Sequence, residues 1–131
     1  MKPFFVFSGQ GAQTVGMGRD LAAACPEARA FFEEADSVLG YDQSSIIFDG
    51  PVEKLTESRF CQPAIYTMSC AALAAFRVKF PDVKPVACAG LSLGEYGALY
   101  AGGAFGFADG LRLLARRAEL MDAACRSTSG G

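Results

Sequence analysis

The stretch Val86-Ala87-Cys88-Ala89-Gly90-Leu91-Ser92-Leu93-Gly94-Glu95-Tyr96 constrains this chain more than any other. After Pro85 it opens as a short apolar run, which reads as a buried strand. It then turns through Gly-x-Ser-x-Gly and continues into a helix-forming segment. That order is what a nucleophile elbow needs, a turn tight enough to lift one serine hydroxyl above a sheet. A side chain at position 90 or 94 would crowd the neighbouring backbone at so sharp a bend. The helix that follows would aim its amino-terminal amides, with their partial positive charge, near the serine oxygen. The same residues allow a second reading. Ser92-x-x-Glu95 has the form of a capping box. That explains Ser92 and Glu95 but not Gly94, because glycine in a first turn costs about 1 kcal/mol relative to alanine.

A serine hydroxyl is a poor nucleophile without a base nearby. The usual base is imidazole, and none of the 131 residues is histidine. Either Ser92 is not catalytic, or its base lies on protein outside these residues. Other chemistries find little support. The net charge is −2, with no basic block, which argues against nucleic acid as a partner. The apolar run Phe4–Phe7 is too short for a signal-peptide core or a membrane span. The five cysteines, Cys25, Cys61, Cys70, Cys88 and Cys125, never form C-x-x-C. They suit reduced thiols packed as small hydrophobes and show no zinc-binding spacing, which fits the cytosolic location expected by default from the shortness of the Phe4–Phe7 run.

Taken in order, Pro3–Phe7 reads as a strand apolar on both faces, as in parallel sheets. Ser8-Gly9-Gln10-Gly11-Ala12-Gln13 follows as a Gly-rich loop. It lacks the Gly-Lys-Ser/Thr of a P-loop, and Thr14 stands where a dinucleotide fingerprint needs its third glycine. What remains is an amide-rich turn at a strand's carboxyl end, where α/β ligand sites gather, or a plain connection. Helices are expected over Asp20–Ala24 and from Pro26 to Leu39, with proline at the first position and Gly40 as the stop. Single helical turns are expected at Ser45–Asp49 and Val52–Glu57. A long helix should open at Gln62-Pro63 and present Ile65, Met68, Ala72, Leu73, Phe76 and Phe80 to the core. Leu93–Ala101 and Phe107–Cys125 should form two more, separated by the breaker 102–106, with a loop over 126–131. Two parallel strands do not make a stable sheet. The helices carry more apolar surface than two strands can cover, so the chain is expected to be the front part of a larger domain.

On the last of these helices Asp109, Arg112, Arg116 and Glu119 recur at helical spacing as a solvated stripe. Arg117 lies about 100° round from that stripe, among Leu113, Leu114, Leu120 and Met121. A guanidinium beside the core needs a partner. An incoming carboxylate, gripped through two parallel hydrogen bonds, is one candidate. An ion pair with another acid, or a packed stem with its head in water, would serve as well.

Phe7-Ser8-Gly9-Gln10-Gly11-Ala12-Gln13, Gln62-Pro63-Ala64, Gly90-Leu91-Ser92-Leu93-Gly94-Glu95-Tyr96 and Arg117 stand in one order and spacing. Together they resemble malonyl-CoA:acyl carrier protein transacylases and the related acyltransferase domains of polyketide and fatty acid synthases. The resemblance implies an α/β fold, namely the N-terminal part of an α/β-hydrolase-like large subdomain with parallel strands, an elbow and flanking helices. It implies Ser92 as the nucleophile, the backbone amides of Gln10 and Leu93 as the oxyanion hole, Arg117 as the partner of the malonyl carboxylate, and Gln62 beside the acyl group. Malonyl would arrive on coenzyme A and leave on the phosphopantetheine arm of acyl carrier protein, with no permanently bound cofactor and no metal. Where many members have histidine before the serine, this chain has Leu91. Members are more than twice as long, with a ferredoxin-like subdomain and further strands after the point reached here, so residues 1–131 would be the first portion of the large subdomain and inactive by themselves. A serine esterase on a similar elbow, or a non-catalytic fragment, are the alternatives.

Overall fold

The computed structural model describes residues 2–128. Two short strands form the only sheet among them. β1 (Phe4–Phe7) pairs in parallel with β2 (Ala87–Gly90), with Phe4 opposite Ala87 and Phe7 opposite Gly90. Val86 extends the pairing by donating to the Pro3 carbonyl at 2.9 Å. Alternation along β1 turns Phe5 and Phe7 inward. The Phe5 ring packs edge-on against Phe76, and Phe7 is buried. Phe4 and Val6 face the other way and are 69% and 78% exposed.

Seven helices accompany this pair among the described residues: α1 (Arg19–Ala24), α2 (Pro26–Leu39), α3 (Gln43–Asp49), α4 (Val52–Thr56), α5 (Ser58–Lys79), α6 (Gly94–Ala101) and α7 (Phe107–Ser127), of which α6 packs directly on both strands. α2 begins at Pro26 and ends where Gly40 takes a left-handed conformation, as its sequence predicts. α3 is longer than the expected turn, because the Asp42 side chain caps it by accepting from the Ser45 amide at 2.8 Å.

α5 departs most from expectation. It starts four residues before Gln62, at Ser58, and carries Pro63 in its interior rather than in its first turn. The early turn is held by backbone bonds from Phe60 and Cys61 to the Glu57 carbonyl, and by burial of both side chains. Pro63 forfeits one helical hydrogen bond there, a loss that packing overrides. Nor does α5 have one core face. From Phe60 to Thr67 every residue is buried, because α2 and α7 clasp it from two sides. Met68, Ala72 and Phe76 are only partly buried, and Phe80 lies past the helix end, exposed.

The core divides into two clusters on either side of α5. One gathers Phe32, Ile46, Ile47, Leu55 and Phe60. The other gathers Ile65, Tyr66, Leu93, Phe107, Leu111 and Leu114, with the Tyr66 and Phe107 rings stacked 5.4 Å apart. α7 runs to Ser127, so the loop expected from Arg126 onward is helical over its first two residues. The last part of that expectation, Ser129–Gly131, lies outside the described residues. No described helix is long and apolar enough to cross a membrane.

Candidate active site

The turn after β2 is built on close approach. A Cβ at Gly90 would overlap the Gly94 carbonyl, and one at Gly94 would overlap the Phe7 carbonyl. Neither position therefore tolerates a side chain, and the β1 end is pressed against the serine turn. Ser92 sits at the apex with φ of 54°, the one positive φ outside glycine among the described residues. Such a conformation costs about 1–3 kcal/mol and persists only where its surroundings enforce it. The capping-box reading is not realised. Leu93, not Ser92, occupies the N-cap of α6, and no side chain caps that helix. The Ser92 side chain is engaged elsewhere.

Its partner is Arg117. Nη2 donates to Ser92 Oγ at 2.8 Å, and Nη1 donates to Gln62 Oε1 at 2.6 Å. The guanidinium also lies 6.0 Å from the centre of the Tyr96 ring, within range of a cation–π contact. Three residues from α5, the β2–α6 turn and α7 thus converge. Gln62 is fully buried and Arg117 half-buried. Among the described residues no carboxylate lies within ion-pairing distance of Arg117, whereas Arg112 pairs with Asp109 and Arg116 with Glu119 on the wet stripe. Of the partners open to Arg117 at the sequence level, another acid is excluded among these residues, and the head is held by hydrogen bonds rather than released to water.

The Gly-rich loop joins the same place. A Cβ on Gly9 would come within 2.7 Å of the Leu91 carbonyl oxygen, so the loop carrying Gln10 abuts the turn carrying Ser92 and Leu93. The Gln10 side chain reaches Ser58 Oγ at 3.4 Å. Leu91, standing before the serine, is 75% exposed. Cys61, beside Gln62, is buried; burial pushes its thiol pKa up, and the Gly11 amide partly offsets this. Tyr96 and Met121 join the site as well, and sequence order alone assigns neither of them a place in it. Met121 Sδ accepts from Gln62 Nε2 at 3.4 Å. Its spacing of four from Arg117 was the available signal, since residues so placed share one helix face.

The described residues thus set a serine at the apex of a strand–turn–helix on an α/β scaffold, facing an arginine that is braced by a buried glutamine. Residues 4–130 match the acyl transferase domain family, and the chain belongs to it. It is similar to the malonyl CoA-acyl carrier protein transacylase of Haemophilus influenzae, at 42% identity over 99% of this chain and 42% of that protein. Among solved structures it is similar to an acyl-carrier-protein-S-malonyltransferase from Bartonella henselae, with a TM-score of 0.91 and 42% identity over 95% of this chain and 40% of that one. It is also similar to a malonyl-transacylase in complex with a type II PKS acyl-carrier protein, with a TM-score of 0.89 and 40% identity over 95% of this chain and 40% of that one. The chain therefore spans about two fifths of the length of these relatives.

Proposed function

We propose that this chain carries the nucleophile and the carboxylate grip of a malonyl transferase, which moves malonyl from coenzyme A to the phosphopantetheine thiol of acyl carrier protein in fatty acid synthesis. The observation that carries the reading is the guanidinium of Arg117, hydrogen-bonded to Ser92 Oγ and to Gln62 Oε1 at once. Malonyl has a free carboxylate two carbon–carbon bonds from its thioester carbonyl. A guanidinium that touches the nucleophile can therefore hold that carboxylate while the carbonyl lies within reach of Oγ. A neutral acyl group would have no use for such a cation. Nothing in the site favours the esterase alternative.

In this reading the Ser92 turn is a nucleophile elbow, and Oγ attacks the thioester carbonyl. The amides of Gln10 and Leu93 steady the oxyanion. The carbon–sulfur bond breaks, coenzyme A leaves as its thiol, and malonyl remains as an ester on Ser92. The pantetheine thiol then attacks that ester, the carbon–oxygen bond breaks, and Oγ regains a proton. Both halves need a base to take and return the proton. Arg117 is only a donor, and the 131 residues hold no histidine, so the base comes from other protein. The chemistry needs side chains and a coenzyme A thioester as substrate, with no resident cofactor. Residues 1–131 then form the first portion of the large subdomain, and the free thiols suit a cytoplasmic setting.

The test is incubation of the protein, at its full encoded length, with malonyl-CoA labelled in the malonyl group. Label should appear on the protein, survive denaturation as an ester, and pass to acyl carrier protein. Ser92→Ala should abolish it. Label retained by that variant removes Ser92 from the mechanism, and release to water in preference to the carrier points to an esterase.

A further inference from the structure

The buried amide of Gln62 has a different partner at each end. Oε1 accepts from Arg117 Nη1 at 2.6 Å, and Nε2 donates to Met121 Sδ at 3.4 Å. A guanidinium has donors and no acceptor, so this amide can meet Arg117 only through its oxygen. That leaves the NH2 end needing an acceptor in a fully buried position, where an unsatisfied donor is costly. The thioether of Met121, one turn beyond Arg117 on α7, supplies it. Turning the amide over would set NH2 against the guanidinium and leave the sulfur without a donor. Two residues of α7 therefore hold one amide of α5 in a single orientation.

We propose that Met121 is a positioning residue for Arg117. Its sulfur, as acceptor for Gln62 Nε2, keeps the amide oxygen turned toward the guanidinium and so keeps the guanidinium beside Ser92. The proposal rests on the reading of Arg117 as the carboxylate grip. Simple space-filling is the competing account. It fits Met121 poorly, because the side chain is 40% exposed and lines an open cleft with Leu113, Leu120 and Tyr96. The two accounts rank substitutions in opposite order. Met121→Leu preserves apolar volume and deletes the acceptor, a change that packing tolerates well. Met121→Gln preserves the unbranched length and restores an acceptor, at the expense of apolar character.

The experiment uses the protein at its full encoded length, with malonyl-CoA and acetyl-CoA as donors. Met121→Leu should raise KM for malonyl-CoA by roughly tenfold with kcat little changed, as expected for lost ground-state binding, and should change KM for acetyl-CoA by a clearly smaller factor. Met121→Gln should return malonyl-CoA kinetics close to those of the parent. Hydrogen exchange of the Gln62 side-chain amide, followed by NMR, should be slow in the parent and in Met121→Gln and faster in Met121→Leu. A leucine variant indistinguishable from the parent, or a glutamine variant worse than leucine, overturns the proposal. A parent protein that accepts no malonyl would sink the functional reading instead. The exchange comparison needs no substrate and decides the role of Met121 either way.

Discussion

Ser92 Oγ, Arg117 and Gln62 come from positions 25 and 55 residues apart, and each is held by a different constraint. The serine is held by backbone geometry, the glutamine by burial, and the arginine by the two hydrogen bonds that join them. Removing the arginine should therefore change what the site selects more than whether the serine can react. Arg117→Ala is expected to lower malonyl labelling by roughly a hundredfold or more, the scale of cutting one partner from a charged contact. Short neutral acyl groups should be kept or gained. Unchanged preference in a competition between malonyl-CoA and acetyl-CoA counts against the grip. The cysteines sort by burial. Burial pushes the thiols of Cys61 and Cys70 upward, so little thiolate is present at neutral pH. Alkylation followed by peptide mass mapping should find exposed Cys125 modified first and Cys61 and Cys70 last. Rapid modification of Cys70 would show that the second core cluster opens readily.

The β2–α6 turn was legible because its requirements are local: an apolar run, two glycines four apart, and a serine between them. Gly90→Ala should destabilise the fold by about 3 kcal/mol or more, since the added carbon meets backbone that cannot move aside. Urea unfolding measures this, and a shift near zero would mean that the turn is looser than its contacts require. The ends of α2 were legible for the same reason, marked by Pro26 and Gly40. The start of α5 was not. Pro63 looks like a first-turn residue, and only the burial of Phe60 and Cys61 explains the helix before it. α3 offers a pH test. The Ser45 hydroxyl and amide hold the Asp42 carboxyl below its ordinary value of 3.8. A carboxyl depressed by folding contributes stability that is whole above its unfolded value and is lost as pH falls through the lower folded one. Asp42→Asn keeps a capping acceptor but should flatten that part of the curve of thermal midpoint against pH. An unchanged acid slope would place its origin elsewhere.

The molecule keeps one side open. The outer face of the two-stranded sheet shows Phe4, Val6 and Ala87 to solvent, and beside β2 lies a cleft of about 940 Å³ lined by residues 84–90 and the end of α6. Unpaired strand edges flanked by apolar side chains invite association. The 131 residues made by themselves are expected to associate or to fold poorly, and not to turn over malonyl-CoA. Light scattering should show species larger than monomer, and Val6→Lys should reduce them. A monomer with a sharp thermal transition and normal turnover would overturn that expectation. The strands, the serine turn, most helix boundaries and the family motifs could be read from order and spacing, because each depends on residues a few positions apart. Spacing alone left Arg117 with several partners and gave no reason to bring Met121 to Gln62. Those pairings depend on how α5 lies against α7, which is set by the shared burial of side chains distant in the chain rather than by any local pattern.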